Sequence, residues 1–435
     1  MKREVNSMLT SLEISKIWGI SSRRIATLCN EGRIEGAIKK GNVWLIPENS
    51  VKPKDARKKE RKKLRVFEAF AGIGAQRTAL DRLDINYEVV GISEWFIEAL
   101  HCYCAIHEKD KNAIKIPSKE EQINYLSKFT FSKDSINPTR LEYINDSELE
   151  KLYISNKLSK NFGSITEVQG EMLPDFDLLV YSFPCQDLST GGNNRGMGKN
   201  SGTRSGLLWE IERILLELDK QNRLPEYLLL ENVFTITADS HIDDLNEWLN
   251  FLESLGYKND DVIKLNALDF GVPQNRNRAF IASHLGSKLN IENKIDKVTK
   301  KRPISDFLKT DYSNVVYKEE ADEAQLKRTP SREKMWKING MEINENTTIN
   351  TITTNMDRTF CAALFKYDGP LGNTFRRPTI REAFLMMGFT ESEYERTKEL
   401  EFSYRKMNKL IGNSIVVDVI AAVLKAMFRG TDYLC

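Results

Sequence analysis

Apolar positions recur in two rhythms along this chain. From residue 64, short and nearly continuous apolar runs alternate with stretches of helical spacing. Residues 64–70 read as a strand, 75–83 as a helix and 87–93 as a second strand. Residues 177–183 and 227–230 are further short apolar runs of the kind buried in parallel sheets, and 279–283 reads as another strand. Helical spacing returns at 205–218, 245–255 and 416–428. The pattern predicts an α/β fold with a doubly wound sheet. Residues 108–160, rich in Lys, Asn and Ser, interrupt the pattern as a long insertion, and residues 285–375 lose it and read as a second, smaller domain.

Residues 8–51 have a different rhythm. Residues 11–18 predict a short amphipathic helix, and Ser21 or Ser22 is placed to cap a second one over 23–30. Gly41-Asn42 between two short apolar runs predicts a hairpin. Two short helices and a wing resemble the winged helix-turn-helix of the excisionase and MerR-like group. On that resemblance Arg23 and Arg24 open a recognition helix and meet DNA. A small docking domain is the competing reading.

Charge sharpens this division. The 435 residues carry a net charge of only +2, yet residues 1–65 hold 17 Lys and Arg against 7 Asp and Glu, so the head is +10 and the rest −8. A basic head on an acidic body suits an anionic partner, although a solvated linker at 52–65 explains part of it. Six cysteines without regular spacing fit a reducing cytosol rather than a disulfide scaffold. The start lacks an apolar signal core, and no uninterrupted run of 18 apolar residues occurs, so a cytoplasmic protein without a membrane span is expected.

The chemistry gathers at strand ends. Phe70-Ala-Gly-Ile-Gly74 joins a strand to a helix, where glycines let a ligand approach the backbone. Glu94 ends the second strand about 20 residues on, where an acid commonly meets ribose hydroxyls. Trp95 follows and is placed to stack on an adenine, so an adenosyl ligand is implied. Cys185, in Ser182-Phe-Pro-Cys, lies just past a strand, with Pro184 fixing the backbone and a glycine-rich stretch from Gly191 behind it. A buried structural cysteine is the competing reading. Glu231 and Asn232 close the next strand on the same edge. Arg276 and Arg278 stand at alternate positions, expected to face one way. Gly412-Asn413-Ser414 precedes the last helix. The cluster His101, Cys102, Cys104, His107 has metal-ligating residue types, but its spacing favours core packing and no metal is expected. Cys29, Cys361 and Cys435 carry no signal.

In this order, FAGIG, EW, PCQ, ENV, QNRNR and GNS resemble the cytosine-5 DNA methyltransferases over residues 65–284 and 376–428. The resemblance implies a Rossmann-like sheet of seven mostly parallel strands and S-adenosyl-L-methionine as cofactor. It makes Cys185 the nucleophile, Glu231 the acid at ring nitrogen 3, Arg278 the donor to oxygen 2, Arg276 a second cation and Asn232 a holder of the loop. Phe70, Gly72, Ile73, Gly74, Glu94, Trp95, Ser164, Ile165, Pro184, Leu207, Asn413 and Ser414 become the cofactor contacts. Ser164 stands where the family usually has Asp, which predicts a raised cofactor Kd. Gln186, Ser189, Gly191, Gly192, Thr353 and Thr354 become DNA contacts beside a flipped base.

The domains implied are a winged head at 1–51, a basic linker at 52–65, a catalytic domain at 66–284, a target-recognition domain at 285–375, a hinge at 376–404 and a catalytic tail at 405–435. Double-stranded DNA is the expected partner of a monomer, a cognate restriction endonuclease shares its system without direct contact, and the head regulates its own gene or adds affinity. A tRNA methyltransferase and a DNA-binding transcription regulator are the rival functions.

Overall fold

The computed structural model describes residues 8–53, 62–108, 110, 114–185, 188, 196–199, 204–298, 300–341, 347–356 and 363–434. The chain divides into two compact units, Met1–Arg61 and Lys62–Cys435.

The first unit runs β1 (Met8–Thr10), α1 (Ser11–Trp18), α2 (Ser22–Asn30), β2 (Ile38–Lys40) and β3 (Val43–Pro47). Thr10 and Glu13 cap α1 reciprocally, and Gly19 ends it in the left-handed region at φ +63°. The Ser21 side chain caps α2 by accepting from the Arg24 amide. The sheet order is β1-β3-β2, all antiparallel. The strand at Met8–Thr10 is an addition to the sequence reading: three residues are too few to show a period. Ile14, Ile25, Leu28, Cys29, Ile34 and Ile46 form a core of its own.

The second unit opens with β4 (Leu64–Ala69), α3 (Ala75–Arg82), β5 (Tyr87–Ser93) and α4 (Ile97–His107). The insertion then folds as α5 (Lys119–Leu126) and α6 (Asp146–Leu158), before β6 (Leu178–Tyr181), α7 (Leu208–Asp219), β7 (Tyr227–Val233) and α8 (Ile242–Ser254). The strands β8 (Tyr257–Asn259), β9 (Ile263–Asn266), β10 (Gln274–Asn275) and β11 (Asn277–Leu285) follow. Next come α9 (Val315–Ala324), α10 (Pro330–Asn339), β12 (Gly340–Met341), β13 (Ile349–Asn350), β14 (Leu364–Gly369) and β15 (Gly372–Arg376). The chain ends with α11 (Ile380–Met386), α12 (Glu391–Lys398), α13 (Tyr404–Gly412) and α14 (Val417–Phe428).

Its main sheet has the order β5-β4-β6-β7-β11-β8, with β9 also paired to β11. The strands β5, β4, β6 and β7 are mutually parallel, while β11 runs against β7, β8 and β9. The short β8 and β9 pair with different stretches of β11, so the seven strands occupy six columns. Alternate residues bury on opposite faces. Val66, Leu178, Val180 and Leu229 join one core, and Phe67, Leu179, Tyr181 and Leu228 the other. The insertion helices pack on α4 through a third core that includes Leu126, Leu149 and Leu152.

Residues 285–375 contribute a small sheet β12-β14-β15 and a core of Leu326, Met335, Trp336 and Leu364. β13 instead pairs in parallel with β10, Gln274 opposite Ile349. Where that region returns, Arg376 and Glu382 form a fully buried ion pair at 2.7 Å, and Thr379 caps α11. By length and composition alone Tyr404–Phe428 passes for a membrane span. It is two helices broken at residues 413–416, and 72% of its apolar window is buried within the fold.

Candidate active site

The carboxyl ends of β4, β5, β6 and β7 share one edge, and the sequence motifs stand there. Past β4 the backbone enters the left-handed region three times, at Phe70 (φ +57°), Gly72 (+58°) and Gly74 (+80°). A phenylalanine there carries strain of about 1–2 kcal/mol, which a ligand-binding turn characteristically holds. The two glycines serve different ends. A Cβ on Gly72 would meet nothing within 4 Å, so this position faces open space. A Cβ on Gly74 would fall 2.2 Å from His107 Nε2 and 2.8 Å from the Tyr103 ring, so glycine lets α4 pack beneath the turn. Ile73, between them, is buried in the core. No side chain caps α3.

Glu94 fastens the turn. Its Oε2 accepts from the Gly72 amide and its Oε1 from the Phe96 amide, each at 2.8 Å. Burial pushes this carboxyl above its ordinary value, against the pull of those amides. Asn161, not singled out by the sequence reading, holds Glu94 from behind: its side chain accepts from the Glu94 amide at 2.9 Å and donates to the Glu94 carbonyl at 3.0 Å. Trp95 is half-buried beside it, and its carbonyl accepts from the Ser132 amide of the insertion. Ile165 is buried nearby in sequence, while the Ser164 hydroxyl caps the turn after it, 2.8 Å from Thr166 Oγ1.

Past β6 the chain leads to Cys185. Asn232 Nδ2 donates to the Phe183 carbonyl at 3.1 Å, and Ser205 Oγ to the Pro184 carbonyl at 2.8 Å. These two bonds fix the approach to the thiol. Leu207 ends the short turn leading into α7 and packs against the same core as Cys185. Burial pushes the Cys185 thiol up; Arg278 pulls it down, Glu231 pushes it up further and Arg276 again lowers it. Glu231, in β7, is 6% exposed, and burial raises its carboxyl while Arg278 and then Arg276 oppose. Arg278 Nε lies 3.2 Å from Glu231 Oε1. A thiol, an acid and a guanidinium are therefore coupled electrostatically at one place.

Arg276 acts on the same thiol and acid from a different setting. It falls at the break between β10 and β11, and its two terminal nitrogens bond carbonyls: Nη1 that of Ile352 at 2.7 Å, and Nη2 those of Gly412 at 3.0 Å and Ser414 at 2.6 Å, while its buried Nε has no partner among the described residues. Alternation along a strand does not govern a residue at a break. Burial, then Arg278, hold its pKa down to about 9. Asn413 is exposed at the end of α13 and Ser414 is buried beside it. Thr353 and Thr354 lie against this segment: a Cβ on Gly412 would sit 2.4 Å from both the Thr353 carbonyl carbon and the Thr354 nitrogen. Gln186, Ser189, Gly191 and Gly192 lie outside the described residues, as do Cys361 and Cys435. In the first unit Arg23 is exposed at the start of α2, and Arg24 stands 3.9 Å from Glu31. His101 bonds Ser155, Cys102 is core, and His107 packs on Tyr103 under the glycine turn.

The C-5 cytosine-specific DNA methylase model matches residues 139–429. The chain belongs to that family. It is 39% identical over 383 residues to the orphan methyltransferase M.SssI of Spiroplasma monobiae, covering 83% of this chain and 97% of that one. It is 36% identical over 372 residues to the type II methyltransferase M2.ScrFI of Lactococcus lactis subsp. cremoris, covering 84% and 99%. The Schizosaccharomyces pombe Dnmt2 methyltransferase shares the fold at a TM-score of 0.56 and 19% identity, covering 84% of this chain and 98% of that one. The chain is a DNA cytosine-5 methyltransferase that uses S-adenosyl-L-methionine and acts on double-stranded DNA.

The edge fits the methyltransferase's cofactor. Gly72 faces open space, and the Glu94 carboxylate, held by two amides, keeps lone pairs for ribose hydroxyls.

Proposed function

We propose that the methyltransferase adds Cys185 covalently to a cytosine flipped out of a short specific site. The observation that carries this reading is the coupling of Cys185, Glu231 and Arg278 at the sheet edge that also holds the Glu94–Gly72 turn. Carbon 5 of cytosine is a poor nucleophile. A Cys185 thiolate bonding to carbon 6 drives the ring's electrons toward carbon 5. Glu231 supplies a proton at nitrogen 3, and Arg278 stabilises charge at oxygen 2. S-adenosyl-L-methionine, held at the Glu94–Gly72 turn, would supply a sulfonium methyl for carbon 5, its sulfur taking the electron pair. A base then removes the carbon 5 proton, and the thiolate leaves.

Phe70, Gly72, Ile73, Gly74, Glu94, Trp95, Ile165, Pro184, Leu207, Asn413 and Ser414 line the cofactor side in this reading. Ser164, capping its own turn, makes a weaker adenine partner than Asp. Thr353 and Thr354 approach the extruded nucleotide. The first unit acts as a winged helix-turn-helix, with Arg23 and Arg24 toward DNA. Gln186, Ser189, Gly191 and Gly192 press on the duplex. The six segments divided at 51, 65, 284, 375 and 404 carry these roles, and the enzyme works as a monomer beside a cognate endonuclease.

Base-resolution methylation mapping tests it, using DNA from a methylation-free bacterium expressing this chain or Cys185→Ala. Methylation at one short motif, absent from the variant, is the expected result. Methylation that persists in Cys185→Ala overturns the covalent route.

A further inference from the structure

The segment Gln274–Arg278 does more than deliver Arg278. Gln274 is fully buried, and its side chain donates to the Met386 carbonyl at 3.0 Å and accepts from the Ile352 amide at 3.0 Å. The Thr351 hydroxyl donates to the Asn275 carbonyl at 2.7 Å. Arg276 then joins the Ile352 carbonyl to those of Gly412 and Ser414. Ile352 precedes Thr353 and Thr354; Gly412 and Ser414 flank Asn413. The two backbones also touch directly, since no Cβ fits on Gly412 between them. Two residues on, Arg278 reaches Glu231.

Burying a guanidinium among carbonyls costs desolvation that no packing role requires, because an apolar side chain would fill the space at less cost. Its five donors, fixed in one plane, hold several acceptors in one geometry. We propose that Arg276 is a positioning residue that couples the recognition segment 352–354 to the cofactor segment 412–414, so that duplex and cofactor bind cooperatively. This rests on the proposed placement of Thr353 and Thr354 near DNA and of Asn413 and Ser414 near the cofactor. A duplex that moves Ile352 moves the guanidinium, and with it the carbonyls on both sides of Asn413. Linkage makes the effect reciprocal.

Titration calorimetry with S-adenosylhomocysteine reads the coupling, with and without a saturating duplex carrying the site found by methylation mapping. The wild-type protein should bind it at least about fivefold more tightly with the duplex. Arg276→Gln should lose the gain, so that its affinities with and without duplex differ by less than about twofold. A variant that folds, methylates slowly and keeps the full gain overturns the proposal, as does a wild type that methylates but shows no gain. Hydrogen exchange on the wild-type protein tests the same point without a variant. S-adenosylhomocysteine alone should slow exchange at residues 349–356, and duplex alone at 409–417. Protection confined to each ligand's own segment overturns the coupling. A wild type that methylates no DNA would instead sink the underlying functional reading.

Discussion

On the proposed covalent route Cys185 must lose a proton and Glu231 must keep one, and the same guanidinium bears on both. Burial raises both groups: it helps the acid and hinders the nucleophile. Arg278, close enough to pair with Glu231, works against burial at both. The alkylation rate of Cys185 in the free enzyme, which needs the thiolate but not the Glu231 proton, should therefore rise with pH toward and past the ordinary thiol range. Removing the cation lifts the thiol further, so Arg278→Met should shift that rising limb to higher pH. It should also lower the single-turnover rate by about 10²–10³ through the lost donor. Rate profiles between pH 6 and 10 check both. A limb that stays in place would mean that Arg278 does not govern the thiol. That Cys185, Glu231 and Arg278 would meet was legible because each stands in a short motif at or near a strand end. The fate of Arg276 was not: the carbonyls it meets lie 76, 136 and 138 positions away in sequence. Asn161 was missed because a single asparagine before a glycine turn has no signature of its own.

At the scale of the elements, the parallel strands and their glycine turn followed from apolar runs and spacing. The insertion helices did not, since α5 and α6 have weak amphipathic contrast and bury only one stripe against α4. The glycine turn separates fold from binding by position. Gly74→Ala puts a Cβ into His107 and strains φ, so it should lower stability by roughly 2 kcal/mol or more and weaken cofactor binding with it. Gly72→Ala meets no protein atom and should cost only about 1 kcal/mol of backbone strain, yet it fills the space assigned to cofactor. Thermal melts beside S-adenosylhomocysteine titrations distinguish them. Gly72→Ala should lose tenfold or more in affinity with little change in Tm. Unchanged affinity would place the cofactor elsewhere.

For the whole molecule, charge sets the division of labour. Residues 1–61 carry 14 Lys and Arg against 7 Asp and Glu, or +7, whereas residues 62–435 carry 50 against 55, or −5. An enzyme unit that is net acidic gains little long-range attraction for a phosphate backbone, so its specific contacts must act locally. The head has its own core and its own caps, and among the described residues the cores on both faces of the main sheet are built from residue 64 onward. Deleting residues 1–61 should therefore leave Tm and single-turnover rate on saturating duplex nearly unchanged. Duplex affinity at low salt should fall, and its logarithmic dependence on salt should flatten by a slope of about one for each phosphate that the head neutralises. Affinity measured between 50 and 300 mM salt, for the full chain and the deletion, decides the matter. Parallel lines of equal slope would leave the head without a role on DNA and return it to the docking reading. A flatter line would make the basic head the part that finds the polymer, and the sheet edge with Cys185 the part that acts on the base.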